Sequence, residues 1–421
     1  MADLDRLEEG LRGHLRRSAP VPDGAAGRVV AAVRARLDDA PRRRTPLPAL
    51  AGVASGVVLA AVLAAALWSR TGTPSGTERP QPPAGGRPGV AVSGAAPTAF
   101  SVLDVAFGDD LHGWEVGSTC TDGSCVLAVR ATADGGRTWT APSPVDPRPT
   151  GADATARVAF RGARSGFVAA AGLLYTSGDG GRTWSRASLP DGVVAVAPVG
   201  ASVWALQACP GSPPCSVRVL ASTDDGRHWA AMAAGPAVAG ADATMVRVSA
   251  VDAFVAGSGS AGRGGSRLAA THDGGHSWEQ LPDPCGPSPA GAAPVIAALE
   301  PTELWVACDG PADRAVYRSR DGGRHWEQRV SAAPGAGALG AAGSPAALAL
   351  APRGPVYLGL EPGPLLRSSD GATWTVSLEA TTAGGVRLVE FVDTAHGWVV
   401  TGDGRALGTA DGGRTWIPLA P

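Results

Sequence analysis

The chain contains no lysine, so all 36 of its basic residues are arginine. With its heavy use of alanine, glycine and proline, this reads as the codon bias of a GC-rich bacterial genome, a statement about source rather than mechanism. Charge of one sign is also missing. A formal net charge of -2 over 421 residues excludes the global positive field that nucleic-acid binding requires. Cysteine is absent from the first quarter, and all six cysteines lie beyond residue 119. That asymmetry assigns an oxidising compartment to the later part of the chain only. Histidine numbers seven and tyrosine three, which leaves few candidates for a general base or a phenolic nucleophile.

What is present begins with two short amphipathic runs. Leu4, Leu7, Leu11 and Leu15 share one helical face, and Val29, Val33 and Leu37 share another. Residues 1–45 hold 10 arginines against 7 acids. They are expected to form a cytoplasmic amphipathic helical tail, read as a short solvated tail, with docking of a cytoplasmic partner or anionic lipid as the functional alternative. From Leu47 to Trp68 run 22 residues without a charge. At about 1.5 Å per residue such a helix spans the hydrocarbon core. Arg42, Arg43 and Arg44 precede it directly, so the positive-inside rule places the N-terminus in the cytoplasm. The expectation is a single-pass type II membrane protein with a transmembrane helix over 46–69. A Gly/Pro-rich linker over 70–98 then tethers an extracytoplasmic domain.

That domain, 99–421, is organised by seven copies of one stretch. The pattern Ser/Thr-x-Asp-x-Gly-x-Ser/Thr/His-Trp ends at Trp139, Trp184, Trp229, Trp278, Trp326, Trp374 and Trp416. Successive tryptophans lie 45, 45, 49, 48, 48 and 42 residues apart, a spacing that marks a repeat architecture. Upstream in each period an apolar run leads through a turn to an aromatic: Trp114, Phe167, Trp204, Phe254, Trp305, Tyr357 and Trp398. In the first and last periods the turn reads Phe-x-x-x-x-His-Gly-Trp, at Phe107–Trp114 and Phe391–Trp398. Four short strands per period, the fourth starting at the box tryptophan, predict an all-β, seven-bladed β-propeller. Within each box the acid is expected to accept turn amides. The fifth-position glycine supplies positive φ, and the tryptophan packs on the neighbouring blade. The structural positions are Asp134, Gly136 and Trp139; Asp179, Gly181 and Trp184; Asp224, Gly226 and Trp229; and Asp273, Gly275 and Trp278. The set continues with Asp321, Gly323 and Trp326; Asp370 and Trp374 in a sixth box one residue short; and Asp411, Gly413 and Trp416.

These motifs match the Asp-box, or BNR, repeat. With the Phe-x-x-x-x-His-Gly-Trp pair, the domain most resembles the photosystem II assembly and stability factor family of propellers. It resembles more distantly the propellers of xyloglucan-degrading glycosidases, sialidases and sortilin-type receptors. The tail and span are similar in layout to actinobacterial membrane-anchored anti-sigma factors, whose zinc site is excluded here because His14 has no cysteine nearby. The sialidase Arg-Ile-Pro motif is missing, and Tyr175, Tyr317 and Tyr357 all fall on strand positions of the repeat.

No catalytic residue, metal site or cofactor is expected. The ring of box aspartates reads as one turn-builder per blade, because an acid satisfied by turn amides has little acceptor capacity left. His112, His396, His228, His272, His276 and His325 are all repeat positions. Arg137, Arg182, Arg227, Arg324 and Arg414 follow the box glycines and read as solubilising turn residues, with anionic lipid or an acidic protein as the functional alternative. Proximity pairs Cys120 with Cys125, Cys209 with Cys215 and Cys285 with Cys308. The longest insertions, 140–157, 230–245, 279–295 and 327–347, fall on the loop face opposite the boxes, where binding normally resides. The expected function is a membrane-tethered, non-enzymatic module binding an extracytoplasmic protein or glycan. A cell-surface glycosidase, or a transmembrane regulator signalling through residues 1–45, is the alternative.

Overall fold

In the computed structural model the described residues are 100–421, apart from 122–123, 147, 149–154, 209–214, 241, 261–266, 287–292, 311–312, 380–383 and 421. The chain divides into two units, Met1–Ala91 and Val92–Pro421, and all the described residues belong to the second. The tail, the apolar span and the linker expected over 1–98 lie outside the described residues. Among those described, no helix is long and apolar enough to cross a membrane.

Seven four-stranded antiparallel sheets follow one another along the chain. Blade one runs from Phe100 to Pro144, two from Ala156 to Arg186, three from Val193 to Ala231 and four from Thr244 to Gln280. Blades five, six and seven occupy Val295–Ala332, Ser344–Leu378 and Val386–Pro418. A small two-stranded ladder, Val238–Ala239 against Gly259–Ser260, is added to blade four. In five blades the fourth strand is only two residues long, which keeps the outer edges short. Six of the seven fourth strands begin at the residue after the box tryptophan, and in blade one at Ser143, rather than at the tryptophan itself. The tryptophan closes the box turn first, and the ladder resumes behind it.

The core is divided into layers. Seven buried apolar clusters each join two adjacent blades. Both faces of every sheet are therefore covered, which explains why strands such as Ala253–Ala256 are buried at every position. Blades one and seven meet without sharing a strand. Their layer has six buried members, against eleven between blades one and two. Hydrogen bonds supplement it: Val102 N–H donates to Gly404 O at 2.8 Å, and Ala420 N–H to Gly136 O at 3.2 Å. Behind them Arg130 pairs with Glu115 at 2.8 Å, both buried, and Arg130 also donates to Ala420 O.

The Phe-x-x-x-x-His-Gly-Trp motif now has a physical explanation. Phe107 closes the first strand opposite Gly113, and a Cβ on that glycine would collide with the Phe107 ring. Because the space is left open, the ring lies flat and stacks on Trp398 of blade seven, centroids 3.5 Å apart. Phe160 does the same over Gly166 and stacks on Trp114 at 3.8 Å. Phe391 lies over Gly397 and stacks on Tyr357 at 4.0 Å. The histidines lock the turns: His112 N–H donates to Asp109, as its ring does, and His396 does likewise to Asp393.

Candidate functional site: the loop face and the channel

The boxes spend their own chemistry. In box one Thr132 Oγ1 donates to Asp134 at 2.8 Å and accepts Gly136 N–H at 2.9 Å. Asp134 then accepts the Thr138 N–H and hydroxyl at 2.9 and 2.6 Å. The same set recurs around Asp179, Asp273 and Asp411. At Asp224 and Asp321 the rings of His228 and His325 replace the hydroxyl. These donors, chiefly the residue four positions on, hold the six carboxyls well below the usual range, Asp134 and Asp179 at about 2. The short sixth box compresses the scheme: Gly371 N–H, three residues on, reaches Ser368 Oγ at 2.8 Å. Asp370 is lowered by the Thr373 and Ala372 amides.

Positive φ is needed at two successive box positions. Gly135 and Gly136 stand at 74° and 86°, and in box three Asp225 takes the first of these places at 62°. Gly181, Gly226, Gly275, Gly323 and Gly413 share the second. The first glycine also donates its N–H to the carbonyl at the turn between the first two strands of its own blade, as Gly135 does to Leu111 at 2.8 Å. Trp184, Trp229 and Trp374 donate Nε1–H to the box glycine carbonyls. Trp326 reaches the Pro282 carbonyl just past blade four, and Trp416 reaches Ser377 of blade six. Among the box arginines, Arg137, Arg182 and Arg414 donate to their own box carbonyls, and Arg324 pairs with Glu279 at 2.9 Å. Arg227 is exposed.

On the other face, Cys120 and Cys125 form a disulfide. They sit on paired strand positions bracketing the hairpin, not within a loop. Cys285 is joined to Cys308, tying the approach to blade five to the end of that blade's second strand. Cys215 is disulfide-bonded; Cys209 lies outside the described residues. The insertion expected over 327–347 is shorter than its numbering implies, since Glu327–Ala332 is a strand.

At the channel mouth on this face lies a cavity of about 610 Å³. It is lined by the starts of the first strands of blades two, three and four, with Asp104, Arg157, Thr244 and Met245. Asp104 is 3% exposed. One carboxylate oxygen accepts Val158 N–H at 2.8 Å; the other has no hydrogen-bond partner among the described residues. Burial pushes this carboxyl up to about 6 against the opposing pull of Arg157. Across the seam, Glu390 accepts Phe107 N–H at 3.4 Å. Burial, reinforced by the Asp104 charge, pushes it up to about 8. Sequence reading passes over both acids because each falls in an apolar strand 286 positions from the other (390 − 104). An acid interrupting such a run, Val102-Leu-Asp-Val105 or Leu388-Val-Glu-Phe391, is the signal that could have found them. Among the described residues no cluster of three or more His, Cys, Asp or Glu is arranged to hold a metal ion.

Residues 93–206 match the family described as photosynthesis system II assembly factor YCF48. No curated protein matches. Among solved structures, YCF48 bound to D1 peptide superposes with a TM-score of 0.52 at 20% identity, over 75% of this chain and 94% of that one. YCF48 from Cyanidioschyzon merolae gives 0.53 at 19% identity, over 75% and 97%. The GH74 xyloglucanase from Xanthomonas campestris gives 0.50 at 18%, over 76% of this chain and 53% of that chain. At these identities the likeness shows the fold: a BNR-type seven-bladed propeller.

Proposed function

We propose that the protein is a membrane-tethered, extracytoplasmic and non-enzymatic module whose propeller binds a protein partner on its loop face. The observation that carries this reading is the channel mouth: about 610 Å³, on a rigid ring, with a buried Asp104 oxygen that has no partner among the described residues. Disulfides brace a blade-one hairpin and the approach to blade five on the same face, and braced connections on a rigid scaffold favour binding over catalysis. Two further facts support it: the partial match to the YCF48 family, and a similar propeller solved with a bound peptide. The tether rests on the uncharged Leu47–Trp68 run.

The test is photo-crosslinking from a probe placed at Thr155 or Thr244, in native membranes, followed by mass spectrometry. A discrete crosslinked protein, lost when the probe is moved to Arg227 on the box face, is expected. Equal crosslinking from both faces sinks the reading. The glycosidase alternative is favoured by the xyloglucanase likeness, which at 18% identity speaks for fold alone; turnover of a glycan panel by the full chain would establish it. Signalling through residues 1–45 would show as a cytoplasmic protein retained by that segment.

A further inference from the structure

The channel mouth leaves one strong acceptor unanswered. Exposed residues ring the opening: Thr155 and Arg157 on the side of blade two, Asp242 and Thr244 on the side of blade four. Asp104, from the first strand of blade one, also lines the cavity but is buried, which puts it at the base. Between rim and base the walls are small and apolar, with Ala169, Ala170, Val194 and Ala195. The cavity is a socket, polar at its two ends and smooth along its sides.

Asp104 uses its two oxygens unequally. Oδ2 accepts Val158 N–H, whereas the buried Oδ1 has no hydrogen-bond partner among the described residues. Arg157 of blade two and Arg387 of blade seven both act on its charge. Neither makes an ion pair with it among the described residues, and Arg387 donates instead to Val102 O. Glu390 of blade seven faces it as a like charge. At the rim, Asp242 accepts Ala293 N–H at 3.1 Å through one oxygen. The mouth therefore carries two acids against one exposed arginine. A buried acceptor left open calls for an explanation, and what it lacks is a donor.

We propose that the channel mouth receives a lysine side chain of the protein partner, its ammonium donating to Asp104 Oδ1. One free oxygen suits a compact ammonium, whereas the guanidinium fork is matched by two. The four-carbon stem lies along the alanine and valine walls, as lysine stems do on apolar surface. This chain has no lysine, so no side chain of its own supplies an ammonium. The inference rests on the loop-face reading above and gives that reading a chemistry. Asp104 is the specificity-determining residue, and Asp242 attracts the incoming charge at the rim.

The probe is Nα-acetyl-lysine N-methylamide, compared with its Nε-acetylated form and with the arginine analogue. Each is titrated by saturation-transfer NMR against the full-length protein in non-ionic detergent. Lysine should bind about tenfold more tightly than its acetylated form, which keeps the stem and loses the charge, and more tightly than arginine. Because burial holds Asp104 at about 6, protonation should weaken lysine binding about tenfold between about pH 7.5 and about pH 5. Asp104→Asn keeps an acceptor for Val158 N–H and should melt no lower than the wild type, yet lose both the preference and the pH dependence. Thr244→Trp, at an exposed rim position, should obstruct the opening and weaken binding with Asp104 intact. No lysine binding, equal binding of lysine and either comparison compound, or an unchanged preference in Asp104→Asn overturns the proposal. Failure of the wider reading is separate: a partner crosslinked at wild-type yield to Asp104→Asn leaves loop-face docking standing and removes the lysine contact. A lysine preference without any crosslinked partner does the reverse.

Discussion

A single absent methyl group decides how two blades meet. Gly113, Gly166 and Gly397 leave room for a phenylalanine ring that would otherwise be displaced from the neighbouring blade's aromatic. Gly113→Ala forces Phe107 off its stack with Trp398, an overpacking cost of about 1–3 kcal/mol. Gly178 has ordinary backbone geometry, and a Cβ on it would meet no atom within 4 Å, so Gly178→Ala should change stability by less than about 0.5 kcal/mol. Chemical denaturation of the two variants checks the contrast. The box aspartates give the second residue-scale expectation. Their folded pKa values lie below the ordinary 3.8, with Asp134 and Asp179 at about 2, so their stabilisation is complete above about pH 4. It is lost as pH falls through the folded values. Acid titration followed by tryptophan fluorescence should show cooperative unfolding setting in below about pH 4; a signal flat down to about pH 2 contradicts it.

Among the elements, the seam between blades one and seven is the distinctive one. Its apolar layer has the fewest buried members of the seven. Two acids with raised pKa values lie beside it, about 6 for Asp104 and about 8 for Glu390. A carboxyl raised on folding binds its proton more tightly in the native state. Stability is therefore full below the ordinary pKa near 4.5 and falls as pH rises towards the folded value. The wild type should melt lower at about pH 8.5 than at about pH 5. Glu390→Gln keeps an acceptor for Phe107 N–H and removes the charge, so its melting temperature should vary less over that range. A variant as pH-sensitive as the wild type would remove Glu390 as the cause. Amide exchange in Val102–Phe107 and Val386–Phe391 should report the same change locally.

For the whole molecule, stability is distributed over a ring of similar interfaces rather than concentrated in one core. The Cys285–Cys308 link closes a separation of 23 residues, and its removal by the double Cys→Ser change should cost about 3 kcal/mol. Thermal melting under non-reducing conditions measures this; an unchanged midpoint would mean that the loop is held by its packing alone.

Much of the ring could be read from the chain because each blade repeats a local solution. The box works through contacts within four residues, so Asp134, Gly136 and Thr138 state their geometry in sequence. The second-strand aromatics recur at a fixed place because every blade needs the same interface. Local chemistry thus determined the blade count, the turn construction and the proximity pairing of Cys120 with Cys125 and Cys285 with Cys308. What depended on closure was not legible. Phe107 meets Trp398, and Glu390 meets Phe107 N–H across 283 positions, only once blade seven returns to blade one. The proximity of Asp104 to Glu390 arises in the same way. Hydrogen bonds and turn conformations are short-range and leave a local signature, whereas the channel, the seam and the loop-face cavities are spaces between blades, and their linings are chosen by how the ring closes.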